Sequence, residues 1–179
     1  MTVYLDIETT NLYADIGSVI VIGLIVNGEE KFFFVDSPKM EKNVLESFLD
    51  FLKEIKNDKI YIWNSDFDIP FLLTRCLKFG LDVSIFNSLK IIDLLKFARE
   101  KLRLSSNSLE NISLFFGLEK NLELKGKDIL MLYQEYLEGK LENRDKIIEH
   151  CRDDLQRLKE LHQIFKVVSD EWEKSRYLY

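Results

Sequence analysis

The stretch Val3-Tyr4-Leu5-Asp6-Ile7-Glu8-Thr9-Thr10 constrains this chain more than any other. Its apolar residues are β-prone, and in a strand successive side chains point to opposite faces. Val3, Leu5 and Ile7 therefore share one face, and Tyr4, Asp6 and Glu8 share the other. Two carboxylates on one strand face lie roughly 7 Å apart. Burying an unpaired carboxylate is expensive, and a second like charge adds repulsion. Any fold that places this strand near a core must give the pair a cation, a partner or water.

The flanking sequence predicts an α/β domain. Val19 to Val26 and Lys31 to Val35 flank Asn27-Gly28, a strong hairpin signal. With the first strand they predict an antiparallel meander. Ser37-Pro38 suits a helix start, and Leu45, Phe48, Leu49, Leu52 and Ile55 follow at helical spacing. Lys59 to Trp63 is short and mostly apolar, as a buried parallel strand should be. A helix is expected from about Ile69 to Phe79, ending at Gly80, then a fifth strand at Leu89–Ile92 and a helix from about Asp93. The rest is helical: Asn107 with Glu110 as a capping pair, Gly117 as a stop, and long helices near 127–137 and 145–168.

The 179 residues, 46% of them hydrophobic, suffice for one domain with a full core. We place it at 1–172, with a short tail at 173–179. A net charge of −6 argues against charge-driven coating of nucleic acid or an acidic membrane, yet leaves room for a local basic groove. Cys76 and Cys151 lie in apolar stretches and are expected to be buried thiols. No secretory leader is visible, and the longest apolar run is too short for a bilayer. These features predict a cytoplasmic protein with no membrane partner.

Two further polar clusters stand out. Asn64, Asp66 and Asp68 follow the fourth strand, at the carboxyl end where open α/β sheets place their sites. His150, Asp153 and Asp154 lie on the last long helix, with His150 and Asp154 at i, i+4 on one face. A solvated strand face, a turn with a helix cap, or an exposed histidine would each explain one cluster alone. On the last helix Ile147, Ile148, Cys151, Leu155, Leu158 and Phe165 form an apolar stripe. Asp154 falls about 60° from its centre and His150 about 100°, whereas Asp153 falls about 160° away, toward solvent.

Taken together, the three clusters resemble the motifs of the DEDD superfamily of 3′→5′ exonucleases, which share a ribonuclease H-like fold. Asp6-Ile7-Glu8-Thr9 matches the first motif, Asn64-Ser65-Asp66-Phe67-Asp68 the second, and His150-Cys151-Arg152-Asp153-Asp154 the third. The segments from Asp93 onward are similar to the YprB-like branch of ribonuclease H-like proteins and to proofreading domains of family B DNA polymerases. The resemblance covers nearly the whole chain and implies a mixed five-stranded sheet with flanking helices.

It further implies Asp6, Glu8, Asp68 and Asp154 as carboxylates that hold two divalent cations, Mg²⁺ or Mn²⁺. Such hard ions prefer carboxylate oxygen, and a pair of them clamps the attacking and leaving oxygens of phosphoryl transfer. The implied activity is 3′→5′ exonucleolytic hydrolysis of single-stranded DNA or RNA ends. An endonuclease of the same fold and a non-catalytic binding module are the alternatives. One subfamily carries Tyr four residues before its last Asp, the other His five before it. This chain has His150 at four and Glu149 at five; we expect His150 to orient or deprotonate the attacking water. Thr9, Thr10 and Asn64 are implied near the terminal nucleotide. Lys96, Arg99, Lys101, Arg103, Lys120, Lys125 and Lys127 are candidates for a basic wall, and Phe67 and Phe115 for base stacking. Both sets also fit a solvated helix face and ordinary core.

Overall fold

A computed structural model describes residues 2–118, 124 and 126–176, without the side chains of 175 and 176. Asn27 and Gly28 have φ of 52° and 91°, the left-handed pair that a two-residue type I′ hairpin requires. They join strands β2 (Val19–Val26) and β3 (Glu29–Phe34), with Val26 opposite Glu29. Strand β1 (Thr2–Thr9) runs antiparallel to β2, and β4 (Lys59–Ile62) and β5 (Lys90–Asp93) run parallel to β1. The order is β3-β2-β1-β4-β5, the mixed five-stranded sheet expected.

Alternation along β1 divides the core. Val3, Leu5 and Ile7 pack with Leu45, Phe48, Leu49 and Leu52 of α1 (Glu41–Ile55) and with Phe71, Leu72 and Cys76 of α2 (Ser65–Lys78). Tyr4 faces the opposite layer, built from α3 (Leu94–Lys101), α4 (Leu109–Phe115), α5 (Gly126–Leu137) and α6 (Glu142–Arg176). All six residues of the apolar stripe expected on the last helix belong to this second layer. Each fully buried Leu or Ile contributes about 1.5–3 kcal/mol, so the stripe alone fixes α6 firmly on the sheet. Both cysteines are buried and unbridged.

Three local expectations shift. Helix α2 begins at Ser65, not near Ile69, because its cap comes from a distant strand. The Asp93 carboxylate accepts from Ser65 N and Ser65 Oγ, both at 2.8 Å. Helix α4 is capped by Ser108, whose Oγ accepts from Asn111 N at 3.2 Å, rather than by Asn107 with Glu110. Helix α6 continues past the expected tail boundary at 172 to Arg176. Its far end is tied down: Tyr4 Oη lies 2.8 Å from His162 Nδ1, and Glu173 accepts from Lys59 Nζ at 2.5 Å.

Candidate metal centre

Asp6 and Glu8 sit on the α6 side of β1, where the sheet opens to receive the helix. Gly23 pairs with Asp6 across the β1–β2 ladder. A Cβ at Gly23 would lie 2.5 Å from Cys151 Sγ and 2.8 Å from Leu155 Cδ1. The missing side chain therefore lets α6 approach the sheet beside Asp6. Just beyond, Glu8 pairs with Val21 and Thr9 with Val19, so Ile20 is an extra residue in β2. Such a bulge re-aims side chains at a strand end, and here Ile20 and Val21 both turn into the α6 layer.

The helix brings its own groups to this point. His150 Nδ1 lies 2.7 Å from Glu8 Oε1. An ionised carboxylate can only accept, so Nδ1–H donates to Glu8. Glu8, His150 and Asp154 offer ligand atoms within 4.8 Å of one another. Glu149, the residue at the other family spacing, instead pairs with Arg152 on the outer side of the helix.

Asp68 arrives from α2 and is buried in the first turn of that helix. Asn64, in the left-handed region at φ 72°, forms the sharp β4–α2 corner. Besides capping α2, Asp93 accepts from Leu95 N at 2.9 Å and Lys96 N at 3.1 Å, so one carboxylate caps two helices. On the other side of α2, Arg75 donates to Glu41 at 2.8 and 2.5 Å and to Ala14 O at 3.0 Å. Glu41 also accepts from Val19 N at 2.9 Å. This buried pair locks α2, and with it Asp68, to the loop after β1.

The electrostatics suit a cation. Burial pushes the Asp6 carboxyl well above the usual carboxylate range, and Glu8, Asp154 and Asp68 push it further. Asp68 is raised chiefly by burial, with Asp93 and Glu8 adding and the amides of Asp68 and Ile7 opposing. The Cys151 thiol is driven up by burial and by the same carboxylates, so it stays protonated beside them. Asp6 Oδ2 is buried with no hydrogen-bond partner, a state polar atoms rarely keep. Glu8, His150 and Asp154, with Asp6 lining the same depression, offer a donor set that fits a divalent cation.

The structure corrects one helix-face assignment. Asp153, expected toward solvent, is 3% exposed. Helices α4 and α5 pack against α6 as well as the sheet, so burial on α6 extends beyond its sheet-facing stripe. Asp153 Oδ2 lies 3.1 Å from Arg157 Nε, and the same guanidinium pairs with Asp154. Arg157 is buried and lines the depression beside Asp6, Glu8 and His150. The i, i+4 spacing of Asp153 and Arg157 was the available signal for it.

The candidate substrate contacts divide. Asn64 lines a groove together with Asp6 and Asp154. Thr10 Oγ1 instead accepts from Ser18 N at 2.8 Å, and Thr9 Oγ1 donates to Asn11 O at 2.8 Å, both within the β1–β2 loop. Of the basic wall, Arg99 lines the groove, Lys96 pairs with Asp66 at 2.6 Å, and Lys101, Arg103 and Lys127 are exposed. Lys120 and Lys125 lie outside the described residues. Phe67 is half-buried against the α1–α2 core, and Phe115 is exposed on α4.

A family model described as the RNase_H superfamily matches residues 3–165. The chain belongs to the RNase H superfamily. Its sheet order and flanking helices are those of the RNase H-like fold. The uncharacterized protein MJ0365 of Methanocaldococcus jannaschii is 28% identical over 166 residues, spanning 89% of this chain and 92% of that one. The family B DNA polymerase from the hyperthermophilic archaeon Pyrobaculum calidifontis superposes with a TM-score of 0.78 at 19% identity. That match covers 92% of this RNase H-like chain but 24% of the polymerase, so this chain spans about a quarter of that protein's length. Among the described residues of this superfamily member, no helix is long and apolar enough to cross a membrane.

Proposed function

We propose that this protein is a divalent-metal-dependent 3′→5′ exonuclease that hydrolyses phosphodiester bonds at single-stranded nucleic-acid ends. The observation that carries the reading is the convergence on Asp6. Asp6, with one buried carboxylate oxygen that has no partner, lines a depression with Glu8, His150 and Asp154, and the charge of Asp68 from α2 reaches it. Three elements distant in sequence do not gather four carboxylates around an orphaned oxygen for stability, since each costs desolvation. All four family positions are filled, which favours an enzyme over a decayed binding module.

Asp6, Glu8, Asp68 and Asp154 would hold the cations, which supply charge neutralisation at the scissile phosphate and acidify water. His150 is oriented by its Nδ1–H bond to Glu8, and its Nε2 is the atom that would accept a proton from the attacking water. Arg157, braced by Asp153, holds the Asp154 carboxylate in place. Asn64 stands at the mouth of the groove to position the end of the strand. Attack on phosphorus expels the 3′-oxygen of the preceding nucleotide and releases a nucleoside 5′-monophosphate.

The test is digestion of 5′-labelled single-stranded DNA and RNA with Mg²⁺ or Mn²⁺, beside an EDTA control. A ladder shortening from the 3′ end, abolished by EDTA, is the expected result, and the two labelled sugars report DNA or RNA preference. A single internal product would make the protein an endonuclease. Cleavage that survives chelation would overturn the metal-dependent reading.

A further inference from the structure

An open groove of about 620 Å³ is shared by Asp6 and Asp154 of the carboxylate centre, by Trp63, Asn64, Leu95 and Arg99, and by the loop at 105–109. Its volume lies in the range of pockets that enclose small organic molecules. Three side chains give it a specific character. Trp63 packs against the α6-side core yet stays half-exposed along the groove wall. Arg99 is exposed on the groove and makes no ion pair or hydrogen bond among the described residues, whereas Lys96 is consumed by Asp66. Asn107 presents a side-chain carbonyl whose Oδ1 is buried and without a partner, although buried acceptors are normally satisfied.

We infer that this groove is a nucleotide subsite next to the metal centre, for the nucleotide on the retained side of the scissile bond in a single strand. The inference rests on the nuclease reading and adds the residues that hold the strand. The Trp63 indole stacks on the base, the Arg99 guanidinium pairs with the phosphate beyond it, and Asn107 Oδ1 takes an N–H from the base edge. A base–aromatic stack accepts every base, so the subsite grips the strand without reading its sequence. Three serines, Ser105, Ser106 and Ser108, line the groove beside Leu95 and Leu109, hydroxyls that can hydrogen-bond a sugar-phosphate chain. The net charge of −6 does not conflict, because only one cation is needed here.

The experiment uses the full chain with a short oligothymidylate as probe and Ca²⁺ in place of Mg²⁺ to slow turnover. The fluorescence of the two tryptophans, Trp63 and Trp172, is followed on titration. Wild type should show saturable quenching that disappears in Trp63→Phe, while the phenyl ring preserves most of the affinity. Trp63→Ala should weaken binding about 5- to 100-fold, the range for losing one base stack. Arg99→Gln should reduce the slope of log affinity against log salt by about 1. Melting curves equal to wild type show that each variant is folded; if Trp63→Ala is not, Arg99→Gln and the Trp63→Phe quenching difference decide. Oligonucleotide affinity and salt slope unchanged in the folded variants, with normal cleavage in Mg²⁺, would overturn the subsite and leave the nuclease reading standing. A wild type that neither binds nor cleaves the oligonucleotide would overturn both.

Discussion

Gly23→Ala should push the last helix away from the metal centre. The new Cβ would come within 2.5 Å of Cys151 Sγ and 2.8 Å of Leu155 Cδ1. Carbon atoms rest about 3.5–4.0 Å apart at optimum, so α6 or the strand must yield by about 1 Å. Both contacted side chains are fully buried and cannot swing into solvent. Overpacking of this kind costs about 1–3 kcal/mol, partly offset by the about 0.5–1 kcal/mol gained in replacing an interior glycine. For a domain of this size each kcal/mol moves Tm by about 2–4 °C, so a fall of up to about 10 °C is expected. Function should suffer more than stability, because a misplacement of about 1 Å can cost about 10²-fold in rate, and α6 carries His150 and Asp154. Thermal melting with and without Mn²⁺ is the assay, run on Gly23→Ala, Cys151→Ala and the double variant. Cys151→Ala removes the nearest clashing atom, so the double variant should recover part of the loss, with a coupling of about 0.5–3 kcal/mol. Gly23→Ala with wild-type Tm and an undiminished metal response would refute the close-approach argument.

His150→Ala should lower turnover about 10²–10⁴-fold, as for loss of a general base, and cost about 1–3 kcal/mol of stability, because it removes a buried hydrogen-bond partner; steady-state kinetics on the folded variant check this, and near-normal turnover would remove the histidine from the mechanism. Asp154→Asn should keep the fold but lose metal-induced stabilisation. Asp153→Asn should instead cost about 3 kcal/mol, because it breaks a buried ion pair, while retaining a metal response; calorimetry of the two variants separates these roles. The metal response itself should depend on pH. The folded-state carboxyls of Asp6 and Asp68 are raised, so the metal-free protein holds protons there that the unfolded chain has released. Its stability from these groups is present below the ordinary carboxyl range and is lost as pH rises through the raised values. Cations compete with those protons, so the gain in Tm on adding Mg²⁺ should grow as pH rises above the ordinary carboxyl range, and a gain independent of pH would contradict the raised carboxyls.

Much of the sheet was legible because its signals are local. Asn27-Gly28 needs no tertiary context to specify its hairpin, and the alternation along Val3 to Glu8 already separates core face from site face. The apolar stripe of the last helix likewise carries its own period. What escaped depended on contacts between distant segments. The start of α2 at Ser65 is set by Asp93, whose carboxylate reaches it from the next strand, and periodicity cannot register a cap 28 residues away. The wheel puts Asp153 in solvent because it assumes one buried face, whereas α6 packs against the sheet and against α4 and α5 as well. The Glu41–Arg75 pair hides among charges at ordinary helical spacing, although it fixes the position of Asp68. Gly23 sits inside a run of valine, isoleucine and leucine, and a glycine in a strand does signal close backbone approach. That signal was visible in the sequence, and so was the last helix, but not that the two meet.

The metal centre can be tested without reference to turnover. Crystals grown with Mn²⁺ and measured near the manganese absorption edge would locate bound ions by anomalous scattering. The account predicts peaks among the carboxylates of Asp6, Glu8, Asp68 and Asp154, within the about 2–2.6 Å reach of oxygen ligands to hard cations, and their loss in Asp154→Asn. Manganese absent from this cluster at saturating concentration, or bound only elsewhere on the molecule, would contradict it.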